Sequence, residues 1–230
     1  MIMAGKGKSR HMKGLNSPKY FDINRKERAY VTKPNPGRHM LESSITLKLL
    51  AEKLELGSKN TEAERIIKNG NILVNNKVVK EPKYPVGLND TIEILNEKRY
   101  YRIGISRLGQ VSITKLEKTD YDSKLYKVVG KYKTDSNKIM LRLHDGGIIN
   151  GSNDVNVNDS LILDSKMKMA KVLKLQVGSE CAVIDGVHVG ASGKIKQLTK
   201  GTMHKTQSVL IEQNEGKAFE TLVKNIMVTG

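Results

Sequence analysis

The sequence has no tryptophan, two phenylalanines and eight tyrosines, so aromatic residues occupy only 4% of its 230 positions. Aromatic side chains bury the most area per residue, and without them a single large core is hard to build. With hydrophobic residues at 38%, burial must rest on Val, Ile and Leu spread over several small modules. The lone cysteine, Cys181, excludes an intrachain disulfide framework and a cysteine-based zinc cluster. It fits a reducing compartment and reads as a small buried hydrophobe, not a nucleophile. No apolar run approaches the roughly 20 residues of a spanning helix, and Met1 to Arg10 lacks the apolar stretch of a signal peptide. The protein is therefore expected in the cytoplasm, with no membrane partner. Proline is absent after Pro85, and acidic residues are outnumbered, 24 against 40 Lys and Arg, for a net charge of +16. Such a surplus repels itself unless a polyanion neutralises it.

The charge is unevenly spread. Residues 1–40 hold ten basic and two acidic residues, a net of +8; residues 41–95 are neutral, 96–177 carry +7, and 178–230 carry +1. The first segment contains Lys6, Lys8, Arg10, His11, Lys13, Arg25, Arg28, Arg38 and His39. It shows neither helical nor alternating periodicity, so it reads as an extended basic arm that orders on its partner, or as a solvated tail.

From Leu41 the pattern becomes helical. Leu47, Leu50, Ala51 and Leu54 share one face, with Gly57 as the expected stop. Thr61 and Glu64 suggest a capping box for a second helix carrying Ala63, Ile66 and Ile67, stopped at Asn69-Gly70. Ile72-Leu73-Val74 and Lys77-Val78-Val79 flank Asn75-Asn76, a pair suited to a two-residue hairpin turn. The turn at Gly87 to Asp90 then leads into a strand from Thr91. Two short helices followed by the run Ile67 to Val79, Tyr84-Pro85-Val86 and Asp90-Thr91-Ile92 resemble the S4-like RNA-binding module, with Asn76 where that module usually has Gly. The resemblance implies that Lys59, Arg65, Lys68 and Lys77 face phosphates. The zero net charge of this stretch leaves open that they are ordinary solvated side chains.

Residues 96–177 show β-like stretches at Tyr100 to Ile105, Tyr126 to Gly130, Ile139 to Leu143 and Leu161 to Leu163, and read as a small all-β domain. Residues 178–230 alternate short β runs with Gly186, Gly190 and Gly193, which suggests a small barrel. A Walker A loop needs Gly where His188 stands and Ser or Thr where Ile195 stands, so no P-loop is present. The glycine spacing before Lys194-Ile195 resembles the KOW motif of SH3-like barrels, and Lys194 and Lys196 are its candidate RNA contacts, with protein contact nearly as good a reading.

Catalysis needs a convergent constellation of acid, base or nucleophile, and the only dense cluster, His144-Asp145-Gly146-Gly147, reads as a β-turn beside a surface histidine. No catalytic residue is expected. The five histidines have neither i, i+4 spacing nor cysteine partners, so no metal is expected either.

Taken in order, the parts resemble ribosomal protein family S4e from end to end. Arg10-His11-Met12-Lys13-Gly14-Leu15-Asn16-Ser17-Pro18 and Pro36-Gly37-Arg38-His39 look like that family's amino-terminal signatures, with Tyr20 near a place where it commonly has Trp. The implied fold is α+β and multidomain: arm 1–40, S4-like module 41–95, middle all-β domain 96–177, KOW barrel 178–230. The implied function is a structural constituent of the small ribosomal subunit, a monomer within the ribosome, contacting small-subunit ribosomal RNA and neighbouring small-subunit proteins. No cofactor, small-molecule substrate or catalysis is implied. An RNA-modifying enzyme holding its substrate with an S4 module, or a KOW-type transcription factor, are the alternatives.

Overall fold

The computed structural model describes residues 11–57, 60–134, 137–164, 167–202, 205–213 and 216–230. Strands dominate it and gather into three successive units.

In the first unit β1 (Met12–Lys13) pairs with β2 (Tyr30–Val31). β3 (Ser44–Thr46), α1 (Leu47–Lys53) and α2 (Asn60–Lys68) follow, then β4 (Ile72–Val74), β5 (Lys77–Val78), β6 (Pro85–Gly87), β7 (Thr91–Ile94), β8 (Arg99–Ile105) and β9 (Val111–Leu116). β3 pairs with β6, and the rest form an antiparallel sheet in the order β5-β4-β7-β8-β9. Thr46 caps α1, its Oγ1 accepting from Leu49 N at 3.3 Å. The helix ends at Lys53, before Gly57, because Glu55 takes the left-handed conformation with φ 54°. Gly57 instead gives room: a Cβ there would stand 3.1 Å from the Glu62 side chain. α2 already includes Asn60, so Thr61 lies inside the helix and the expected Thr61–Glu64 box is not formed. Glu64 accepts from Lys48 Nζ at 2.6 Å and ties the two helices together. Asn75 and Asn76, with φ 49° and 63°, make the expected tight turn between β4 and β5.

Two sequence expectations are corrected in this unit. Residues 11–40 do not stand off as an extended arm, since Met12, Tyr20, Phe21 and Val31 are buried in the same cluster as Leu50, Ile67 and Ile92. Their spacing follows no helix or strand period because short turns, not one regular element, carry them inward. The sheet also continues past residue 95. Asn96 to Lys98, placed by the sequence reading at the start of the middle domain, instead forms a turn with Lys98 at φ 50°, after which β8 pairs with β7 and places Ile103, fully buried, in the same core.

The second unit holds α3 (Lys118–Tyr121) and β10 (Ser123–Lys133), β11 (Ile139–Leu143), β12 (Ile148–Asn150), β13 (Ser160–Asp164) and β14 (Met169–Leu173). Its sheet runs β12-β11-β10-β13-β14 over a core of Tyr126, Val128, Leu141, Leu143, Leu161 and Leu163.

The third unit comprises β15 (Glu180–Val183), β16 (Ser192–Thr199), β17 (Ser208–Glu212), β18 (Ala218–Leu222) and β19 (Ile226–Val228), ordered β18-β17-β16-β15-β19. Among the described residues its ladder leaves β18 and β19 as edges, so the sheet is open and does not close by hydrogen bonds into a barrel. Gly193 meets the expectation of close backbone approach: a Cβ there would run into the Glu212 carbonyl oxygen of the neighbouring strand.

Candidate nucleic-acid interface

The first basic surface is built around Gly14. Its N–H donates to Ala29 O at 3.0 Å, and a Cβ at this position would overlap the Arg28 carbonyl oxygen and stand 2.9 Å from that of Arg25. Only glycine lets the turn at residues 25–28 lie against the start of the chain. In the β1–β2 pair Met12 opposes Val31 and Lys13 opposes Tyr30. The pleat sends the first pair into the core and the second outward. Lys13, Arg25, Lys26, Arg28 and Tyr30 therefore line one open groove of about 510 Å³, together with Leu15 and Ala29. The His11 ring meets Tyr30 edge-on at 5.9 Å.

Of these charges Arg28 has a carboxylate partner, Glu52 Oε2 on α1 at 2.7 Å. Lys53 Nζ reaches back to Asp22 Oδ2 at 2.8 Å. These two bridges fasten the basic segment to the helix. No ion pair within 4 Å joins Lys13, Arg25 or Lys26 to a carboxylate among the described residues.

The other sequence candidates are distributed differently. Arg65 and Lys68 are exposed on α2, with Lys68 Nζ 3.7 Å from Glu64. Lys77 is exposed on β5, beside a small cavity of about 90 Å³ that Arg38 and Lys124 also line. Lys194 and Lys196 flank buried Ile195 on β16 and lie 3.9 Å from Glu180 and 3.4 Å from Glu212. Lys6, Lys8, Arg10 and Lys59 fall outside the described residues.

His39 turns inward instead, and Arg38, itself exposed, reaches a buried carboxylate. His39 Nε2 lies 2.8 Å from Asp90 Oδ2 with its side chain 5% exposed. Asp90 also receives Lys124 Nζ at 2.7 Å, Asn75 Nδ2 at 2.8 Å and Gly87 N at 2.9 Å. Burial alone would raise this carboxyl, yet Lys124, then His39 and Asn75, hold it far below the usual carboxylate range. One carboxylate thus gathers the amino-terminal segment, the β4–β5 turn and β10. Arg38 Nη1 lies 3.6 Å from the fully buried Asp145, whose Oδ1 accepts from Gly147 N at 2.9 Å. The His144 to Gly147 turn is thereby a packing element against residue 38. His144 is not on the surface: burial, then the Lys124 charge, lowers it to about 4, and its Nδ1 accepts from Lys127 N at 3.3 Å.

A second joint lies between the later units. Lys127, buried in β10, donates from Nζ to the carbonyls of Val223 at 2.8 Å, Lys224 at 2.8 Å and Ile226 at 2.6 Å. Burial draws its ammonium down to about 8, so at neutral pH it still carries the three N–H groups those carbonyls need. Two of the middle segment's lysines, Lys124 and Lys127, thus serve internal joints and not an external anion. Reading the sequence missed Lys26, Tyr30 and both of these. For Lys124 and Lys127 the available signal was their place two and five residues into a strand whose neighbours are apolar.

Comparison with known proteins places the chain among ribosomal proteins. Residues 6–42 match the RS4NT (NUC023) domain, 48–92 the S4 domain, and 97–168 the ribosomal family S4e. The small ribosomal subunit protein eS4 of Archaeoglobus fulgidus is 35% identical over 221 residues, covering 96% of this chain and 93% of that one. The protein of the same name from Methanosphaera stadtmanae is 31% identical, covering 99% and 95%. The crystal structure of the 30S ribosomal protein S4e from Thermoplasma acidophilum superposes with a TM-score of 0.70 at 30% identity, covering 82% of this chain and 95% of that one.

Proposed function

The chain belongs to ribosomal family S4e, and from that premise we propose that it is a structural constituent of the small ribosomal subunit, holding ribosomal RNA and supporting assembly without chemistry of its own. The groove at Gly14 carries this reading at the level of residues: Lys13, Arg25 and Lys26 converge there, and among the described residues none of the three has a carboxylate within 4 Å. Clustered cations of this kind are neutralised by a phosphate backbone, with counterion release driving association. Tyr30, 61% exposed beside them, offers a planar face for an unpaired base.

Arg65, Lys68 and Lys77 add a second contact surface on the helical pair and hairpin. Lys6, Lys8, Arg10 and Lys59 are assigned by charge alone. Arg38 and His39 act through the joint they make, by orienting the middle unit. The open third sheet is read as a KOW-type, SH3-like element in which Lys194 and Lys196 face RNA or a neighbouring ribosomal protein. The chain would be present once per subunit in the cytoplasm, without cofactor or small-molecule substrate.

The test is sedimentation. The tagged chain should travel with intact small subunits through moderate salt, and Lys13→Ala/Arg25→Ala/Lys26→Ala should weaken its binding to small-subunit RNA. A chain that stays at the top of the gradient overturns the ribosomal reading, and turnover on RNA that disappears in His144→Ala overturns the non-catalytic one.

A further inference from the structure

The open face of the middle sheet carries a second kind of surface. In the register of β10, β11 and β12, Tyr132 opposes Met140, and Met140 opposes Asn150; Gly130 opposes Arg142, and Arg142 opposes Ile148. The row between them, Lys131, Leu141 and Ile149, points the other way, with Leu141 fully buried and Ile149 7% exposed in the core. By the two-residue period of the pleat, Tyr132, Met140, Asn150, Arg142 and Ile148 share the solvent face. Tyr132 is 44% and Ile148 52% exposed.

Gly130 shapes this face. A Cβ there would stand 3.5 Å from Arg142 Nε, 3.6 Å from Nη2 and 3.8 Å from its Cβ. The guanidinium therefore lies along the bare glycine, next to the Tyr132 row. Met140, Ile148 and Asn150 also border an open groove of about 510 Å³, together with Ile149, Met167, Lys168 and Met169. Among the described residues no carboxylate lies within 4 Å of Lys138, Arg142 or Lys168. Lys138, at the β10–β11 hairpin, and Lys168, on the groove, thus flank a face of one aromatic ring, one guanidinium plane and aliphatic side chains.

We propose that this face is a stacking platform for an unpaired nucleotide of single-stranded RNA, with Tyr132 and Arg142 as the two planes and Lys168 and Lys138 on the flanking phosphates. Base stacking on aromatic rings and guanidinium planes combined with a cationic surround is the general solution for holding single strands. The charge decides between occupants. An apolar protein segment would cover Met140 and Ile148 but leave Lys138, Arg142 and Lys168 unpaired, whereas a nucleotide strand satisfies both. This inference rests on the RNA-binding reading and locates a contact distinct from the Gly14 groove.

The chain has no tryptophan, so a fluorescent base can be followed without interference from one. The probe is a short single-stranded RNA carrying one 2-aminopurine, with a duplex of the same length as control, titrated with the full-length chain. Quenching of 2-aminopurine on binding is expected, with Tyr132→Ala weakening single-strand affinity by roughly tenfold, the order of one lost stacking contact. Duplex affinity and the salt slope should stay unchanged. Arg142→Lys, which keeps the charge and removes the plane, should behave like Tyr132→Ala. Loss of RNA binding in Lys13→Ala/Arg25→Ala/Lys26→Ala with no effect of either middle-domain variant overturns the platform and spares the RNA-binding reading. If no variant of either surface changes RNA binding, that reading fails as well. Should Tyr132→Ala instead release a copurifying ribosomal protein while leaving RNA affinity intact, the face is a protein interface and the proposal is wrong.

Discussion

At the residue scale, charge in this chain is divided between side chains facing outward and side chains consumed inside, and only structure separates them. Lys127 shows the internal use. Replacing it with Met keeps the volume but strands the carbonyls of Val223, Lys224 and Ile226, of which even partial desolvation costs about 2–4 kcal/mol in total. Urea denaturation of Lys127→Met should show that loss. His144 gives a pH dependence. Its folded value, about 4, lies below the ordinary 6.5, so between those limits the unfolded chain binds the proton and the folded chain does not. Stability contributed by the neutral ring is full above pH 6.5 and is lost as pH falls toward 4, on the order of 3 kcal/mol. His144→Asn, which retains an acceptor for Lys127 N, should flatten the urea midpoint over that window. Asp90 works in a separate window, because its carboxyl is depressed below 3.8 and its stabilisation declines only as pH drops below that value. Beyond the apolar neighbours of Lys124 and Lys127, none of this was legible in the sequence. A lysine two residues from a tyrosine in a basic stretch looks the same whether it meets a phosphate or Asp90.

At the scale of elements, legibility followed periodicity. The α1 face, the α2 stripe and the β4–β5 hairpin were readable because each repeats at 3.6 or 2 residues and is bounded by turn chemistry. The Asn75-Asn76 turn shows where reading stopped. Both residues hold positive φ, which the sequence indicated, but Asn75 also donates to Asp90 and accepts from Thr91 N and Lys124 Nζ through its amide. The two positions should therefore respond differently. Asn76→Gly keeps the left-handed turn at no steric cost and should leave stability within about 0.5 kcal/mol. Asn75→Gly keeps the turn yet removes the amide from the Asp90 cluster, and should cost about 1–3 kcal/mol. Thermal denaturation of the two variants side by side decides this; equal effects would mean that the side chain at 75 contributes nothing beyond its turn. Gly14 is the same lesson at a close approach. Its φ is ordinary, so neither composition nor turn rules single it out, and only the carbonyls of Arg25 and Arg28 above it reveal why a side chain cannot stand there.

At the scale of the whole molecule, the order of modules was legible from motifs, whereas the seams were not. Charge counting put a boundary at residue 40, but apolar burial ignores it: Tyr20 and Phe21, 4% and 0% exposed, sit in the core with Leu50 and Ile92. This changes how the basic segment must be tested. Deleting residues 1–40 removes eight net charges, but it also uncovers Leu50 and its neighbours, and each large apolar side chain lost from a core costs about 2–5 kcal/mol. The expected outcome of that deletion is an unfolded or aggregating first unit, with loss of RNA affinity that says nothing about phosphates. Neutralising Lys13, Arg25 and Lys26 in place separates the two effects. Those side chains are exposed and, among the described residues, have no carboxylate within 4 Å, so the urea midpoint should stay close to that of the parent chain. If each neutralises one phosphate, log affinity plotted against log salt should flatten by roughly 0.7–0.9 per residue, about two units for the triple variant. Arg28→Ala should flatten the slope less and destabilise more, because its guanidinium is already committed to Glu52. A triple variant with parent slope and parent stability would show that the groove faces solvent in the complex, and would move the electrostatic contact to Arg65, Lys68 and the cations around Tyr132.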